Sequence, residues 1–337
     1  MRIIGAVPAG TGATVLHAEL AKALPDYELR SYSPWLELLP PLMRRVCAGP
    51  RPDIVHATLE YGCWLRRPDA RLVATAHNYV SDAAIRPYVS SLQYLHYRSD
   101  LAWSARRTAK QADAIVAVSQ FVARMLRDDL GVSRPVQVIY NGVDTARFAP
   151  ASPSRRSGPF RVLFCGNHRC RKRPKLLAPL ARALGPEFEI HYTQGLTRSS
   201  VSLEAGREAA RMVCVGSVAH SDMPTLYRQV DLLFMPSARE GFGLCVAEAM
   251  ACGLPVVAAD AGALPELVVE GQGGHLCAID DVSAFATAIR NISDDRARAS
   301  RMGAFNRARA EERFGGVAMA RQYQSLFQAV LDKADAG

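Results

Sequence analysis

PSAREGFGLCVAEAMACGLPVV, residues 236–257, is the stretch on which the fold turns. An apolar run, Leu232 to Met235, stops at Pro236. A loop then carries Glu240, Gly241-Phe242-Gly243 opens a helix, and Glu248 follows inside that helix before a second apolar run begins near Val256. Strand, glycine-rich turn, helix and strand is the layout that puts a ligand at the carboxyl edge of a parallel sheet. The start of such a helix offers N–H groups and a positive dipole end to an anion. A carboxylate beside a phosphate is repelled, so the two glutamates suit hydroxyls, as an acidic residue holds ribose in dinucleotide folds. One anion with several hydroxyls describes a sugar nucleotide.

Working outward, the same alternation recurs along the chain. In the first half, strands are expected at 2–7, 53–57, 71–76, 113–118 and 136–140, with helices at 13–24, 90–111 and 119–130. Each strand is a short run rich in apolar residues, the mark of a parallel sheet covered on both faces. Residues 149–159 (APASPSRRSGP) have the composition of a linker. Beyond it the alternation restarts, with strands near 160–165, 188–193, 211–215, 231–235, 255–259 and 275–277. Helices are expected near 174–184, 221–229, 243–252, 281–293 and 295–313. A last amphipathic helix, 316–334, repeats Met319, Tyr323, Leu326, Phe327 and Val330 at helical spacing. The expectation is an α/β protein of two doubly wound, Rossmann-like domains facing a cleft. The divisions expected are 1–150, 151–315 and a C-terminal helix over 316–337.

Composition narrows the classes. With 337 residues, 49% hydrophobic and 22% charged, the chain reads as globular over two domains. The opening MRIIGAVPAGTGAT reads as a strand and a turn, its apolar run too short for a signal peptide. No run approaches the ~18–20 apolar residues of a membrane span. The eight cysteines include no C-x-x-C pair, which fits a reducing cytoplasmic setting and speaks against a zinc site. The net charge of +9 suits an anionic partner. Residues 1–150 hold 18 basic against 13 acidic side chains and the remainder 23 against 19, so no dedicated nucleic-acid arm is present. Aromatic residues do not alternate with the basic ones as a base-stacking platform requires.

Several motifs in order carry a family resemblance. They are ATAH at 74–77, VSQFVARML at 118–126, NGVDTARF at 141–148, Glu240-Gly-Phe-Gly with Glu248 eight positions on, EAMACGLPVV, and GALPELV. Together they resemble the retaining, GT-B-fold glycosyltransferases of family 4. The resemblance implies that Glu248 binds the ribose hydroxyls of a UDP- or GDP-sugar, and that Glu240 faces the donor sugar. It also implies that Gly241, Phe242, Gly243 and Leu244 present backbone N–H groups to the donor. It further implies acceptor binding by 1–150, nucleotide-sugar binding by 151–315, and a last helix over 316–337 that crosses back to the first domain. A carboxylate can accept from two adjacent hydroxyls, and its charge strengthens both bonds.

The resemblance also implies a diphosphate loop at Gly166-Asn-His-Arg-Cys-Arg-Lys-Arg173. The family pattern there is Gly-Arg with a Lys five positions after the Arg. Gly166 and Lys172 match, but Asn167 stands where the Arg belongs, leaving Arg169 or Arg171 to supply the charge. Cations aimed at the phosphates neutralise a leaving group without a metal. No D-x-D motif and no Cys/His cluster provides for a metal, and no cofactor is expected. His77 corresponds to a histidine near the donor sugar, and Gly12 to a glycine-rich first turn. The turn around Gly216 and Val218 is expected to meet the base through its main chain. The activity implied is transfer of a hexose to an acceptor hydroxyl by front-face substitution, on a glycan or glycolipid of the bacterial envelope, lipopolysaccharide among them. The competing readings are a nucleotide-sugar epimerase of the same fold and a non-catalytic binding protein. Finally, residues 88–110 combine Tyr88, Tyr94, Tyr97 and Trp103 with Arg98, Arg106, Arg107 and Lys110, which suits peripheral contact with an anionic membrane on its cytoplasmic face.

Overall fold

The structure, a computed structural model, describes residues 1–151, 158–166, 169–194, 206 and 208–335. Contacts within the chain divide it into two units: Met1–Gly142 together with the C-terminal helix Gly316–Asp335, and Val143–Gly315. Residues 143–150 therefore belong with the second unit.

The first unit is a six-stranded sheet of β1 (Ile3–Pro8), β2 (Tyr27–Tyr32), β3 (Ile54–Thr58), β4 (Arg71–Ala76), β5 (Ala114–Ala117) and β6 (Val136–Val138). All pairs are parallel, in the order β2-β1-β3-β4-β5-β6. The five expected strands are present. Sequence reading misses β2, because this edge strand buries only its ends, Tyr27 and Tyr32, and Glu28, Leu29, Arg30 and Ser31 between them form no apolar run. Gly5 in β1 is the counterpart of Tyr27: a Cβ there would sit 2.4 Å from the tyrosine ring, so only glycine lets the ring reach under the sheet. Tyr27 Oη then meets His17 Nδ1 at 2.6 Å and His56 Nδ1 at 2.7 Å. His56 Nε2 meets Thr75 Oγ1 at 2.7 Å, which in turn meets Tyr323 Oη of the C-terminal helix at 3.1 Å. Every member of this chain of contacts is buried. Tyr323 and Phe327, both fully buried, thus close the core of the first unit with their aromatic rings.

The segment expected as one helix over 90–111 is helical throughout but not uniformly. It runs as Ser91–His96, a π-helical stretch Tyr97–Leu101, and Ala102–Gln111. Ser99 Oγ donates to Leu95 O at 2.7 Å, competing for a carbonyl of the helical ladder where the turn widens.

The second unit repeats the plan with β7 (Phe160–Phe164), β8 (Phe188–Thr193), β9 (Arg211–Gly216), β10 (Leu232–Met235), β11 (Val256–Ala259) and β12 (Gly274–Cys277). Its order is β12-β11-β10-β7-β8-β9, again all parallel. The central strands β10 and β11 are wholly buried, with Phe234 and Phe285 edge to face at 5.0 Å. From β7 the chain winds outward through β8 and β9, returns to β10 on the other side of β7, and continues to β12. The strand order therefore reverses between β7 and β10, and the crevice outside their carboxyl ends is where such sheets bind ligands.

Candidate donor site

Two loops flank that reversal. The one after β7 carries Gly166, Arg171 and Lys172, and the one after β10 carries Glu240. Pro236, lacking an N–H, ends β10, and Ser237, Ala238, Arg239 and Glu240 run on as buried backbone. The loops are tied together, since Ala238 N donates to Arg171 O at 2.8 Å and Arg171 Nη1 donates to Arg239 O at 2.9 Å. Lys172 Nζ lies 2.6 Å from Glu240 Oε1, a buried ion pair. Arg171 Nη1 stands 3.9 Å from Glu240 Oε2. Arg169 is exposed, and Arg171 is the arginine of this loop that reaches the carboxylate. Asn167 lies outside the described residues. Arg173, in the left-handed conformation at φ 59°, turns away to Asp280 (Nε to Oδ1, 2.6 Å).

Burial alone would raise the Glu240 pKa, but Lys172 and then Arg171 outweigh it and hold the carboxyl below its ordinary range. Burial alone would likewise depress Lys172, and the Glu240 carboxylate outweighs it and keeps the ammonium above its usual value. Both side chains are therefore charged at neutral pH. Gly262 explains how Glu240 is held: a Cβ there would come within 2.5 Å of Glu240 O, and its φ of +60° already disfavours any side chain. The next residue, Ala263, donates its N–H to the same carbonyl at 3.1 Å.

The expected helix over 243–252 is observed as Leu244–Ala251. Gly243 caps it in the left-handed region at φ 104°, which a side chain rarely adopts. Phe242 is buried, its ring edge-on to Phe314 at 5.6 Å, so this residue has only its backbone to offer a ligand. Glu248, one turn further into the helix, is 5% exposed and so is no solvated surface glutamate. Its Oε1 accepts from His220 Nε2 at 2.8 Å and its Oε2 from Tyr227 Oη at 2.9 Å. Each carboxylate oxygen can accept a second bond. His220 follows β9 in the segment that begins with Gly216 and Val218, which brings that segment alongside Glu248. Gly216 is itself left-handed at φ 74°. Neither His220 nor Tyr227 is legible as a site residue, because each lies more than twenty positions from Glu248 in the sequence.

Comparisons with known proteins bear on the family and the fold. Residues 159–295 match the family model "Glycosyl transferases group 1", and residues 9–147 match "Glycosyltransferase Family 4". The lipopolysaccharide core biosynthesis mannosyltransferase LpsB of Rhizobium meliloti (strain 1021) is 31% identical over 262 residues, covering 69% of this chain and 70% of that protein. The chain belongs to the group 1 glycosyltransferases. The glycogen synthase of Mycobacterium tuberculosis (strain ATCC 25618 / H37Rv) is another relative of this glycosyltransferase, 28% identical over 284 residues that span 78% of this chain and 66% of that protein. Among solved structures, the sucrose-phosphate synthase of Thermosynechococcus elongatus superposes with a TM-score of 0.82 at 20% identity, covering 99% of this chain and all of that one. Anabaena HepE in complex with UDP-glucose superposes with a TM-score of 0.78 at 21% identity, covering 98% of this chain and 100% of that one. The fold of this glycosyltransferase is therefore the GT-B fold.

The remaining sequence candidates lie in the first unit. Gly12 opens the helix Gly12–Ala23 after β1, where Thr14 Oγ1 donates to Pro8 O at 2.7 Å and fixes the turn. His77 follows β4, with both ring nitrogens buried and without a hydrogen-bond partner. Burial lowers its pKa to about 4, so it is a neutral imidazole at neutral pH. His17 stands beside it, ring centroids 5.7 Å apart. Among the described residues no group of three His, Cys, Asp or Glu side chains is placed to hold a metal ion. An open groove on the edge strand β12, lined by Glu270, His275 and Asp281, shares no residue with the donor site.

Proposed function

We propose that this glycosyltransferase moves a hexose from a UDP- or GDP-sugar to an acceptor hydroxyl with retention at the anomeric carbon. The observation that carries the reading is the Glu240 carboxylate held between Lys172 and Arg171 at the strand-order reversal, eight residues before the buried Glu248. Glu248 takes the ribose hydroxyls on its remaining lone pairs. The diphosphate lies on Lys172, Arg171 and the start of the helix Leu244–Ala251, since a helix N-terminus offers backbone N–H groups and a positive dipole end to an anion. Gly241, Phe242, Gly243 and Leu244 contribute main chain to the donor, and Gly216 and Val218 face the base. Glu240 serves the sugar. It is a fixed negative charge where an oxocarbenium-like carbon develops positive charge, and such preorganised charge is effective in a buried site.

Two cations, Lys172 and Arg171, beside the place assigned to the diphosphate support a metal-independent reaction. In front-face substitution the departing β-phosphate oxygen takes the proton of the incoming hydroxyl as the C–O bond to that hydroxyl forms and the bond to phosphate breaks. His77, a neutral imidazole whose buried ring nitrogens have no hydrogen-bond partner, suits a hydroxyl of the sugar or of the acceptor. The acceptor is a glycan or glycolipid, a class that the lipopolysaccharide core of the rhizobial relative exemplifies. The eight unbonded cysteines support a cytoplasmic setting.

The test is a thermal-shift panel of UDP, GDP, ADP and their sugars, since a ligand bound only by the folded state raises Tm. At least one should shift it, and a flat panel would falsify the donor site. Proton NMR of the product then reads the anomeric configuration: inversion refutes the front-face mechanism. Turnover should be unchanged by EDTA.

A further inference from the structure

Of the motif NGVDTARF, residues 144–148 belong to the second unit and stand behind Glu248. Asp144 makes the turn. Its Oδ1 accepts from the N–H groups of Ala146 and Arg147, both at 3.1 Å, and its carbonyl accepts from Phe148 N at 2.8 Å. An aspartate that bonds the backbone a few residues on closes a turn without help from helix or strand. Phe148, at the end of the turn, is buried. The centroid of its ring lies 5.6 Å from that of His220 and 6.1 Å from that of Tyr227. One aromatic side chain therefore backs both donors to the Glu248 carboxylate.

Hydrogen bonds to the backbone hold the same groups. Arg147 Nη2 donates to His220 O at 2.5 Å. Arg228, next to Tyr227, donates from Nε to Ala149 O and from Nη2 to Arg147 O, each at 2.9 Å. Arg307 Nη1 lies within bonding distance of three carbonyls, Thr145 O at 2.9 Å, Phe148 O at 2.7 Å and Ala251 O at 2.7 Å. Ala251 is the last residue of the helix that carries Glu248. The guanidinium thus joins the turn to that helix, at the end where the helix dipole favours a positive charge.

A glutamate side chain has three rotatable bonds and can aim its carboxylate several ways. On Glu248 each oxygen is claimed by one donor, His220 Nε2 at 2.8 Å and Tyr227 Oη at 2.9 Å, the two arriving from different elements. Two fixed donors on one carboxylate set its plane as well as its position. The second lone pair of each oxygen then has a defined direction, as two adjacent hydroxyls require. An acceptor oriented before its ligand arrives has less rotamer freedom to lose on binding.

We propose that His220 and Tyr227 are positioning residues that orient the Glu248 carboxylate toward the ribose diol, and that the turn 144–148, through the Phe148 ring, holds both of them in place. The proposal rests on the assignment of Glu248 to the ribose hydroxyls. The test is titration calorimetry with UDP and GDP and with their 2′,3′-dideoxy forms, on wild type, Tyr227→Phe, His220→Phe and Phe148→Leu, each checked for folding by thermal unfolding. Tyr227→Phe and His220→Phe keep a ring and lose the donor, and the His220 side chain is 40% exposed, so neither change leaves a large cavity. Each should weaken binding of the ribonucleotide roughly two- to tenfold, the worth of one net hydrogen bond, and leave binding of the dideoxy form unchanged. His220→Gln, which keeps an N–H donor, should restore the wild-type preference. Phe148→Leu should act in the same direction as the loss of either donor. In a Glu248→Gln background these substitutions should add nothing further, since they act through that carboxylate. Equal weakening of ribonucleotide and dideoxy forms, or the full wild-type preference in folded Tyr227→Phe and His220→Phe, overturns the proposal and leaves the ribose assignment standing. A wild type that binds UDP and GDP no better than their dideoxy forms overturns both.

Discussion

Glu240→Gln should tighten the binding of the nucleoside diphosphate while it slows sugar transfer. In the free protein the carboxylate neutralises Lys172 at 2.6 Å and Arg171 at 3.9 Å, the cations assigned to the phosphates. A phosphate oxygen placed on Lys172 Nζ at an ordinary charge-assisted distance of about 2.8 Å lies no more than roughly 5.4 Å from Glu240 Oε1. At an effective dielectric of about 20, two unit charges at that separation repel by about 3 kcal/mol. Removing the carboxylate charge relieves that repulsion, and about 1–3 kcal/mol, roughly five- to 150-fold in affinity, is the expected gain. Stability moves the other way. Lys172 loses the partner that keeps it charged in a buried position, and breaking a buried pair costs about 3–5 kcal/mol. The assay is titration calorimetry with UDP and GDP beside thermal unfolding. The variant should have a lower Tm alone, a larger ligand-induced rise in Tm, and a lower kcat. Weaker or unchanged diphosphate binding by a folded variant would refute the assignment of Lys172 and Arg171 to the phosphates.

Glu248→Gln should do the opposite, weakening nucleotide binding by roughly ten- to a hundredfold, the worth of hydrogen bonds to a charged acceptor. The wild type should discriminate against 2′-deoxy nucleotides by calorimetry, and the variant should lose most of that discrimination; equal discrimination by both removes Glu248 from the ribose. Gly262→Ala should cost at least about 1–2 kcal/mol from left-handed strain. Its methyl would also displace the Glu240 backbone, so kcat should fall more than nucleotide affinity in steady-state kinetics. Acid should loosen the first unit. His77 has its folded pKa lowered to about 4, and His17 and His56 are lowered well below the ordinary value, all by burial first. Between about pH 6.5 and 4 the unfolded chain binds more protons than the folded one, so this stability is complete above pH 6.5 and lost as pH falls. At about 1.4 kcal/mol per pKa unit, His77 alone accounts for on the order of 3 kcal/mol at pH 4. Urea unfolding at pH 7 and pH 4.5 measures it, and identical midpoints contradict it.

Much of the site could be read in the sequence because its parts are local. Glu240, the glycine turn and Glu248 lie within nine residues, and their geometry follows from one loop and one helix. The pairing of Lys172 with Glu240 could not be read, since 68 residues separate them and only the reversal of strand order makes the β7 and β10 loops neighbours. His220 and Tyr227 stayed hidden for the same reason, being brought to Glu248 from β9 and the helix Met223–Tyr227. The role of Gly262 is visible only once the Glu240 carbonyl is seen against its Cα. Strand β2 escaped notice because an edge position relaxes the demand for apolar residues, and its two buried anchors are tyrosines at its ends, one of them, Tyr27, bonded to two histidines.

The C-terminal helix sets an order of events during synthesis. Tyr323 and Phe327 complete the core of the unit that begins with β1, yet they are translated after the whole of Val143–Gly315. Until they emerge, Thr75 lacks its contact from the tyrosine hydroxyl, and the rings of Tyr27 and His56 lack their aromatic cover. The second unit, continuous in the chain, can finish folding on the ribosome first. The earlier-made unit waits with a partly open core, a period in which chaperones or proteases would find it.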